Sequence, residues 1–228
     1  MRVLVVIPAW NEGDSLFRTI TDVENSGPWD VLVIDDGSAY DWTASVDDCR
    51  RWPSSKILRM HHFGVGAAIR TGIKYAMLHN YDIVVFVNAK GKTPARCIPG
   101  LVAMIEAGYD LAQGSRYRGN GVNTPWHRRV GHWLHSRLFS LVTGRRITDS
   151  TSGFRAVRVS MLHDPRFVCL DQEWLNGYAL EPYLMRKAIE FGYAVREVPV
   201  DIVYPKTGKY TSMRIRDWWT ICKPLWRK

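Results

Sequence analysis

Asn88, Lys90 and Lys92 place an amide and two ammonium groups at alternate positions, directly after the apolar run Ile83-Val84-Val85-Phe86-Val87. Such a run reads as a strand buried on both faces. If the chain stays extended past Val87, side-chain alternation turns all three polar groups to one side. Together they suit an anion. Asp35 and Asp36 end a second apolar run, Val31 to Ile34, and offer carboxylates to a base or a ribose while the lysines meet phosphates. Two further polar clusters, Arg116-Tyr117-Arg118-Gly119-Asn120-Gly121 and Asp149-Ser150-Thr151-Ser152-Gly153-Phe154-Arg155, stand beside apolar segments in the same way.

Two shorter patterns fail as phosphate signatures. Gly91-Lys92-Thr93 resembles the end of a P-loop, but that motif requires glycine where Phe86 stands inside the strand. Gly64-Val65-Gly66 lacks the third glycine of a dinucleotide fingerprint, Ile69 occupying its place, and reads as a helix-entry turn close to a ligand.

The elements that must position these groups alternate along the chain. Val3 to Ile7 is a strand closed by Pro8 and the loop Ala9 to Gly13. A helix capped by Asp14 or Ser15 follows, with Leu16, Ile20 and Val23 on one face. Val31 to Ile34 is a strand, a helix carries Trp42, Val46 and Cys49, and Ile57 to Arg59 is a third strand. After Gly66 a helix carries Ile69, Ile73 and Ala76. Leu111 to Ser115 is a fifth strand, and a helix from His127 to Thr143 is expected to turn Val130, Leu134, Leu138 and Leu141 inward. Its opposite side carries Arg128, Arg129, His132 and His135; without a third ligand the histidines read as surface residues rather than a metal site. A helix around Trp174 to Phe191 precedes a strand from Ala194 to Val203. The rhythm implies βαβ units and a mainly parallel sheet flanked by helices, in which ligands sit beyond the carboxyl ends of the strands.

With 228 residues and 46% hydrophobic content, the chain suits one domain, residues 1–210, with an appended tail, 211–228. A formal charge of +9 favours acidic partners: nucleotides, an anionic membrane surface or, less strongly, nucleic acid. Cys49, Cys97, Cys169 and Cys222 are far apart and read as free thiols in a reducing compartment. The apolar start is too short for a signal peptide, and no apolar run reaches the roughly 18 residues of a spanning helix. A cytoplasmic protein, at most peripheral on a membrane, is expected. From Met213 onward, Trp218, Trp219 and Trp226 alternate with Arg and Lys, as suits a bilayer headgroup layer or a terminal helix packed on the domain.

Several segments taken in order carry a resemblance: Val6-Ile7-Pro8-Ala9-Trp10-Asn11-Glu12, Val33-Ile34-Asp35-Asp36-Gly37-Ser38, Gly64 to Ala68 with Gly72, Gly114 to Tyr117, Asp149 to Arg155, and Glu197 to Val200 with Gly208-Lys209. The chain resembles the family 2 glycosyltransferases of GT-A fold, in the branch that uses dolichyl or other polyprenyl phosphates. The resemblance implies a nucleotide-sugar donor near Pro8, Glu12, Asp35, Asp36, Gly64 and Gly66, with Asn88, Lys90 and Lys92 toward its diphosphate. It implies an acceptor phosphate near Arg116, Arg129 and Ser152, a reaction centre lined by Asp149 and Arg155, and displacement with inversion at the anomeric carbon. That family carries Asp-x-Asp, holding Mg²⁺ or Mn²⁺, where this chain has Asn88-Ala89-Lys90. An ammonium has no lone pair to offer a hard cation. Either Lys90 and Lys92 replace the metal's charge, giving a metal-independent transferase with Lys90 catalytic, or the altered site binds without turnover; retention of Asp35, Asp36, Arg116 and Asp149 favours the transferase. No cofactor is then expected, Mg²⁺ or Mn²⁺ entering only if the altered motif still admits one. A hydroxyl acceptor on a glycan, protein or modified DNA base would instead need a general base, for which Asp149, Glu173 and Glu181 are candidates.

Overall fold

The computed structural model describes residues 1–39, 55–119, 124–201 and 217–227. The helix expected around Trp42, Val46 and Cys49, the Asn120-Gly121 pair, the reach of the last strand to Val203, Lys206 to Lys209, the 210/211 boundary and the start of the tail at Met213 lie outside the described residues.

The described elements are β1 (Val3–Ala9), α1 (Asp14–Glu24), β2 (Asp30–Asp35), β3 (Ser55–Arg59), α2 (Val65–Leu78), β4 (Ile83–Phe86), α3 (Ile98–Glu106), β5 (Leu111–Ser115), α4 (Trp126–Thr143), β6 (Arg155–Arg158), α5 (Val159–Leu162), α6 (Leu180–Glu190), β7 (Val195–Pro199) and α7 (Asp217–Cys222). Among the described residues, seven strands form one sheet in the order β3-β2-β1-β4-β6-β5-β7. All pairings are parallel except those of β6, which runs antiparallel to both β4 and β5.

Strand alternation divides the core. Leu4, Val6, Leu32, Ile34, Val84 and Phe86 pack with α2 and α6 on one face. Val3, Val5, Ile7, Val31, Val33, Ile83 and Val85 pack with α1 and α3 on the other. Burial on both faces explains why these strands are unbroken apolar runs rather than alternating ones.

The central strand also opens the crevice. β1 pairs with β4 only as far as Val6 and Phe86 but continues beside β2 to Ala9 and Asp35. The last bond across the β1–β4 seam runs from Val87 N to Val6 O, at 3.0 Å. Pro8, two residues on, faces the side where β4 has already turned away, so its missing N–H leaves no ladder bond unmade. Here the strand order reverses direction about β1, the position where open α/β sheets leave room for a ligand.

Helix α4 is turned opposite to expectation. Val130, Leu134, Leu138 and Leu141 are exposed, whereas His132, His135, Ser136 and Phe139 are buried. The reason lies beneath the helix: it covers the polar turn at Thr148–Ser152, so hydroxyl and imidazole groups make the better inner face. The expectation of surface histidines is corrected by the same observation. At the other end of the fold, the segment expected as one helix from Trp174 to Phe191 begins instead with a single 3₁₀ turn, Glu173–Leu175, before α6. The tail packs on the body: Arg186 Nη1 donates to Pro224 O at 2.5 Å, and the Arg227 guanidinium lies 4.8 Å from the Trp174 ring centre.

Gly64 and Gly66 seat α2 against the chain at Leu175–Gly177. Gly66 N donates to Asn176 O at 2.7 Å, and a Cβ on Gly66 would overlap the Leu175 carbonyl oxygen. Replacing Gly66→Ala should therefore lower unfolding free energy by about 1–3 kcal/mol, the range for forcing atoms into a packed interior. Urea denaturation followed by circular dichroism would show the midpoint falling with the slope unchanged.

Candidate active site

Beyond the β1–β4 seam lies a cavity lined by Pro8, Asn88, Lys92, Arg116 and Ser152 among the expected residues, joined by Arg128, His132, Thr151, Tyr178, Glu181 and Trp218. Past Val87 the chain does not remain extended. It turns, Asn88 Oδ1 accepting from Lys90 N at 2.9 Å and Gly91 taking φ of +63°. Lys90 does not line the cavity with Asn88 and Lys92, and its ammonium lies 3.3 Å from Glu12 Oε2. Glu12 is thus the partner of Lys90, and its carboxyl is raised by burial, an effect the Lys90 charge partly offsets.

Lys92 has a different setting. Burial, with the like charges of Lys90, Arg128 and Arg116 around it, lowers its ammonium to about 8. Cations brought together in this way suit an anionic ligand.

The opposite wall rests on a buried ion pair. Arg116 Nε donates to Asp149 Oδ2 and Nη2 to Asp149 Oδ1, both at 2.6 Å, while Nη2 also donates to Thr151 Oγ1 at 2.7 Å. Burial alone would raise the Asp149 carboxyl; the Arg116 charge and hydrogen bonds more than offset it and hold it below the ordinary carboxylate value. Asp149 therefore orients Arg116 and is ill suited to take a proton. Glu197, on β7, fastens the turn from below, its Oε1 accepting from Thr148 N and Asp149 N at 2.8 Å each.

Arg155 lies beneath this turn rather than in the cavity. Its Nη2 donates to Ser152 O at 2.6 Å and its Nη1 to Glu181 O. Ser152 O also accepts from Gln113 Nε2 at 2.7 Å. Glu181 itself lines the cavity, its carboxyl raised by burial. Glu173 is exposed and does not line it.

Asp35 and Asp36 close the far end of β2 from inside. Asp36 accepts from Phe63 N and Gly64 N at 2.9 Å each, so both of its oxygens shape the loop into α2. Asp35 Oδ1 accepts from Ser38 Oγ at 2.5 Å. Its Oδ2 lies 3.4 Å from Arg59 Nε, near enough for charge attraction yet without hydrogen-bond alignment, leaving this buried oxygen without a hydrogen-bond partner. Gly64, with φ of +108°, and Gly66 abut the Asn176 backbone, which accounts for their lack of side chains.

Helix α4 contributes through the face that apolar periodicity had assigned to solvent. Arg128 reaches the cavity, whereas Arg129, one helical step on, is exposed and borders a separate groove. The Tyr117 hydroxyl and His132 Nδ1 are 2.9 Å apart, and burial foremost, with the Arg116 charge, lowers His132 to about 3, leaving it neutral. His135 Nε2 lies 3.0 Å from Ile221 O and Nδ1 2.7 Å from Ser150 Oγ. A carbonyl only accepts, so Nε2 bears the hydrogen and Nδ1 accepts from Ser150. Trp218, whose ring rests where a Cβ on Gly131 would stand, completes the wall. Position 131 is glycine, which was the one available sign of that packing.

The Glycosyl transferase family 2 sequence model matches residues 4–164. The chain belongs to this family. It is 31% identical over 224 residues to a polyprenol monophosphomannose synthase of Mycolicibacterium smegmatis, covering 95% of this chain and 83% of that one. It is 32% identical over 218 residues to an undecaprenyl-phosphate mannosyltransferase of Micrococcus luteus, covering 92% and 86% respectively. Among solved structures, glucosyl-3-phosphoglycerate synthase from Mycobacterium tuberculosis with Mn²⁺, UDP-glucose and phosphoglyceric acid superposes with a TM-score of 0.67 at 16% identity, over 97% of this chain and 76% of that one. A mannosyltransferase from Pyrobaculum calidifontis with GDP-Man and Mn²⁺ gives 0.60 at 20% identity, over 92% and 58%. The protein is a glycosyltransferase with the GT-A fold.

The Lys92 environment has a pH signature. A bound anion stabilises the ammonium, so affinity should fall as pH rises through about 8. For inorganic pyrophosphate, the affinity ratio of wild type to Lys92→Gln should shrink about tenfold between pH 7 and pH 9. Isothermal titration at the two pH values measures it; a constant ratio would remove Lys92 from the anion site.

Proposed function

We propose that this glycosyltransferase moves a sugar from a nucleotide-sugar donor to a polyprenyl phosphate, with inversion, and that Lys92 takes the place of a divalent metal at the leaving diphosphate. The observation behind the reading is the cationic cavity wall of Lys92, Arg116 and Arg128 beyond the β1–β4 seam. The relatives named for polyprenol and undecaprenyl phosphate support the acceptor.

An acceptor phosphate is ionised at neutral pH, so its oxygen attacks the anomeric carbon without a general base. The bond from that carbon to the donor diphosphate breaks, and the diphosphate departs with the electron pair. Lys92 neutralises the departing charge, while Arg116, held by Asp149, and Arg128 orient the acceptor phosphate. Arg155 and Ser152 support the turn that carries Asp149. The buried Asp35 oxygen without a hydrogen-bond partner suits a donor from the base or ribose. Lys90, matched by Glu12, holds the turn that presents Lys92.

Mg²⁺ or Mn²⁺ fits this donor set poorly. Asn88 offers one carbonyl oxygen and the lysines none, Glu12 is engaged by Lys90, and among the described residues no three His, Cys, Asp or Glu side chains gather to hold an ion. A second reading rests on Glu181, a half-buried carboxyl in the cavity wall with raised proton affinity, which could serve as base toward a hydroxyl acceptor.

Turnover of nucleotide sugars with a short-chain polyprenyl phosphate should persist in excess EDTA. Lys92→Gln should lower kcat by roughly 100-fold or more, as loss of one preorganised donor does, with Lys90→Gln milder. Product that requires Mn²⁺ would overturn the substitution of lysine for metal, and product only with hydroxyl acceptors, lost in Glu181→Gln, would establish the second reading.

A further inference from the structure

Helix α4 turns an apolar face outward along its full length. Trp126, Val130, Trp133, Leu134, Leu138 and Leu141 recur three or four residues apart, and all are exposed, Leu141 to 80% and Trp126 to 76%. Scattered exposed leucines are ordinary, but a continuous stripe on an 18-residue helix, about 27 Å long, is a surface built for contact. The face is set among cations. Arg129, Arg137, Arg145 and Arg146 are exposed, with the Arg137 guanidinium 5.6 Å from the Trp133 ring centre. Between Asp110 and Asp149 the sequence contains seven arginines and no Asp or Glu.

We propose that this face of α4 is the surface by which the protein docks on an anionic bilayer, with the helix lying in the plane of the headgroups. The charge pattern selects that occupant. A second copy laid on the same face would bring arginine against arginine with no acid to relieve it, whereas anionic headgroups complement the cations and acyl chains accept the tryptophans and leucines. No helix among the described residues is long and apolar enough to cross a membrane, in keeping with attachment at the surface.

The placement also has a geometrical logic. A groove of about 990 Å³ flanks the helix, bordered by Tyr117, Arg129, Trp133 and Leu141. Tyr117 follows Arg116, which lines the catalytic cavity, so the docking face adjoins the side of the site proposed for the acceptor phosphate. In this respect the inference deepens the reading of a lipid-linked acceptor.

Vesicles free of acceptor keep the two tests apart. The full chain should co-sediment with phosphatidylcholine vesicles containing roughly one third phosphatidylglycerol and much less with phosphatidylcholine alone. The double variant Trp133→Glu/Leu141→Glu, altered only at exposed positions, should lose about tenfold or more in partitioning. It should keep its thermal midpoint and its turnover of a water-soluble short-chain acceptor, while Trp219→Ala/Trp226→Ala should retain binding. Equal binding by wild type and the α4 variant, no binding by wild type, or loss only in the tail variant would overturn the proposal. So would a lipid-free dimer, seen by light scattering, that the α4 variant converts to monomer. Absence of turnover by wild type would instead count against the proposed reaction.

Discussion

The ion pair between Arg116 and Asp149 is the constraint on which one wall of the cavity depends. Both partners are buried, and removing such a pair's counter-charge typically costs about 3–5 kcal/mol, so neither side chain can be altered alone without consequence. Its geometry is set from several directions. Glu197 on β7 receives the amides of Thr148 and Asp149, and Arg118 Nε donates to the same carboxylate at 3.1 Å. Gln113 on β5 and Arg155 on β6 share the Ser152 carbonyl. Three neighbouring strands thus converge on one turn. The antiparallel run of β6 makes this convergence attainable, because it starts the strand at the same edge where β5 and β7 finish.

The end of β2 is organised by main-chain amides on a carboxylate. Asp36 holds the Phe63 and Gly64 amides, and the turn it shapes admits Gly66 onto the Asn176 carbonyl. A motif of two aspartates at a strand end therefore divides its labour: one residue builds the loop, and the other retains a carboxylate oxygen with no hydrogen bond. Neighbouring identical residues need not do the same work.

The parallel sheet and its crevice were legible in the sequence, because strands buried on both faces write themselves as unbroken Val and Ile runs ending in polar turns. As cavity-lining positions, Pro8, Asn88, Lys92 and Arg116 were legible because they stand at or just past strand ends, and Ser152 because it stands in the polar turn before β6. Lys90 was not, since alternation presumes an extended chain and the Asn88 side chain instead folds the backbone into a turn. Helix α4 was misread because apolar periodicity identifies a helix face but not which side is protein. Where the underlying layer is polar, as at Thr148–Ser152, the inference inverts, and with it went Arg128 and His132. The antiparallel course of β6 left no local trace, being decided by pairing with strands distant in sequence.

The bonds from Gly66 and Ala67 to the Asn176 carbonyl join the start of α2 to the segment that presents Tyr178. Those two parts of the cavity wall are consequently one stiff unit, braced backbone to backbone. The facing wall is made otherwise: Trp218 is seated by ring contact on Gly131, and α7 is tied to α4 through the His135 imidazole on the Ile221 carbonyl. The two walls are therefore held by different means, main-chain bonds on one side and an indole ring with a single imidazole bond on the other. Under the proposed reaction, position 218 is where the shape of the cavity can be altered without touching the backbone of the sheet.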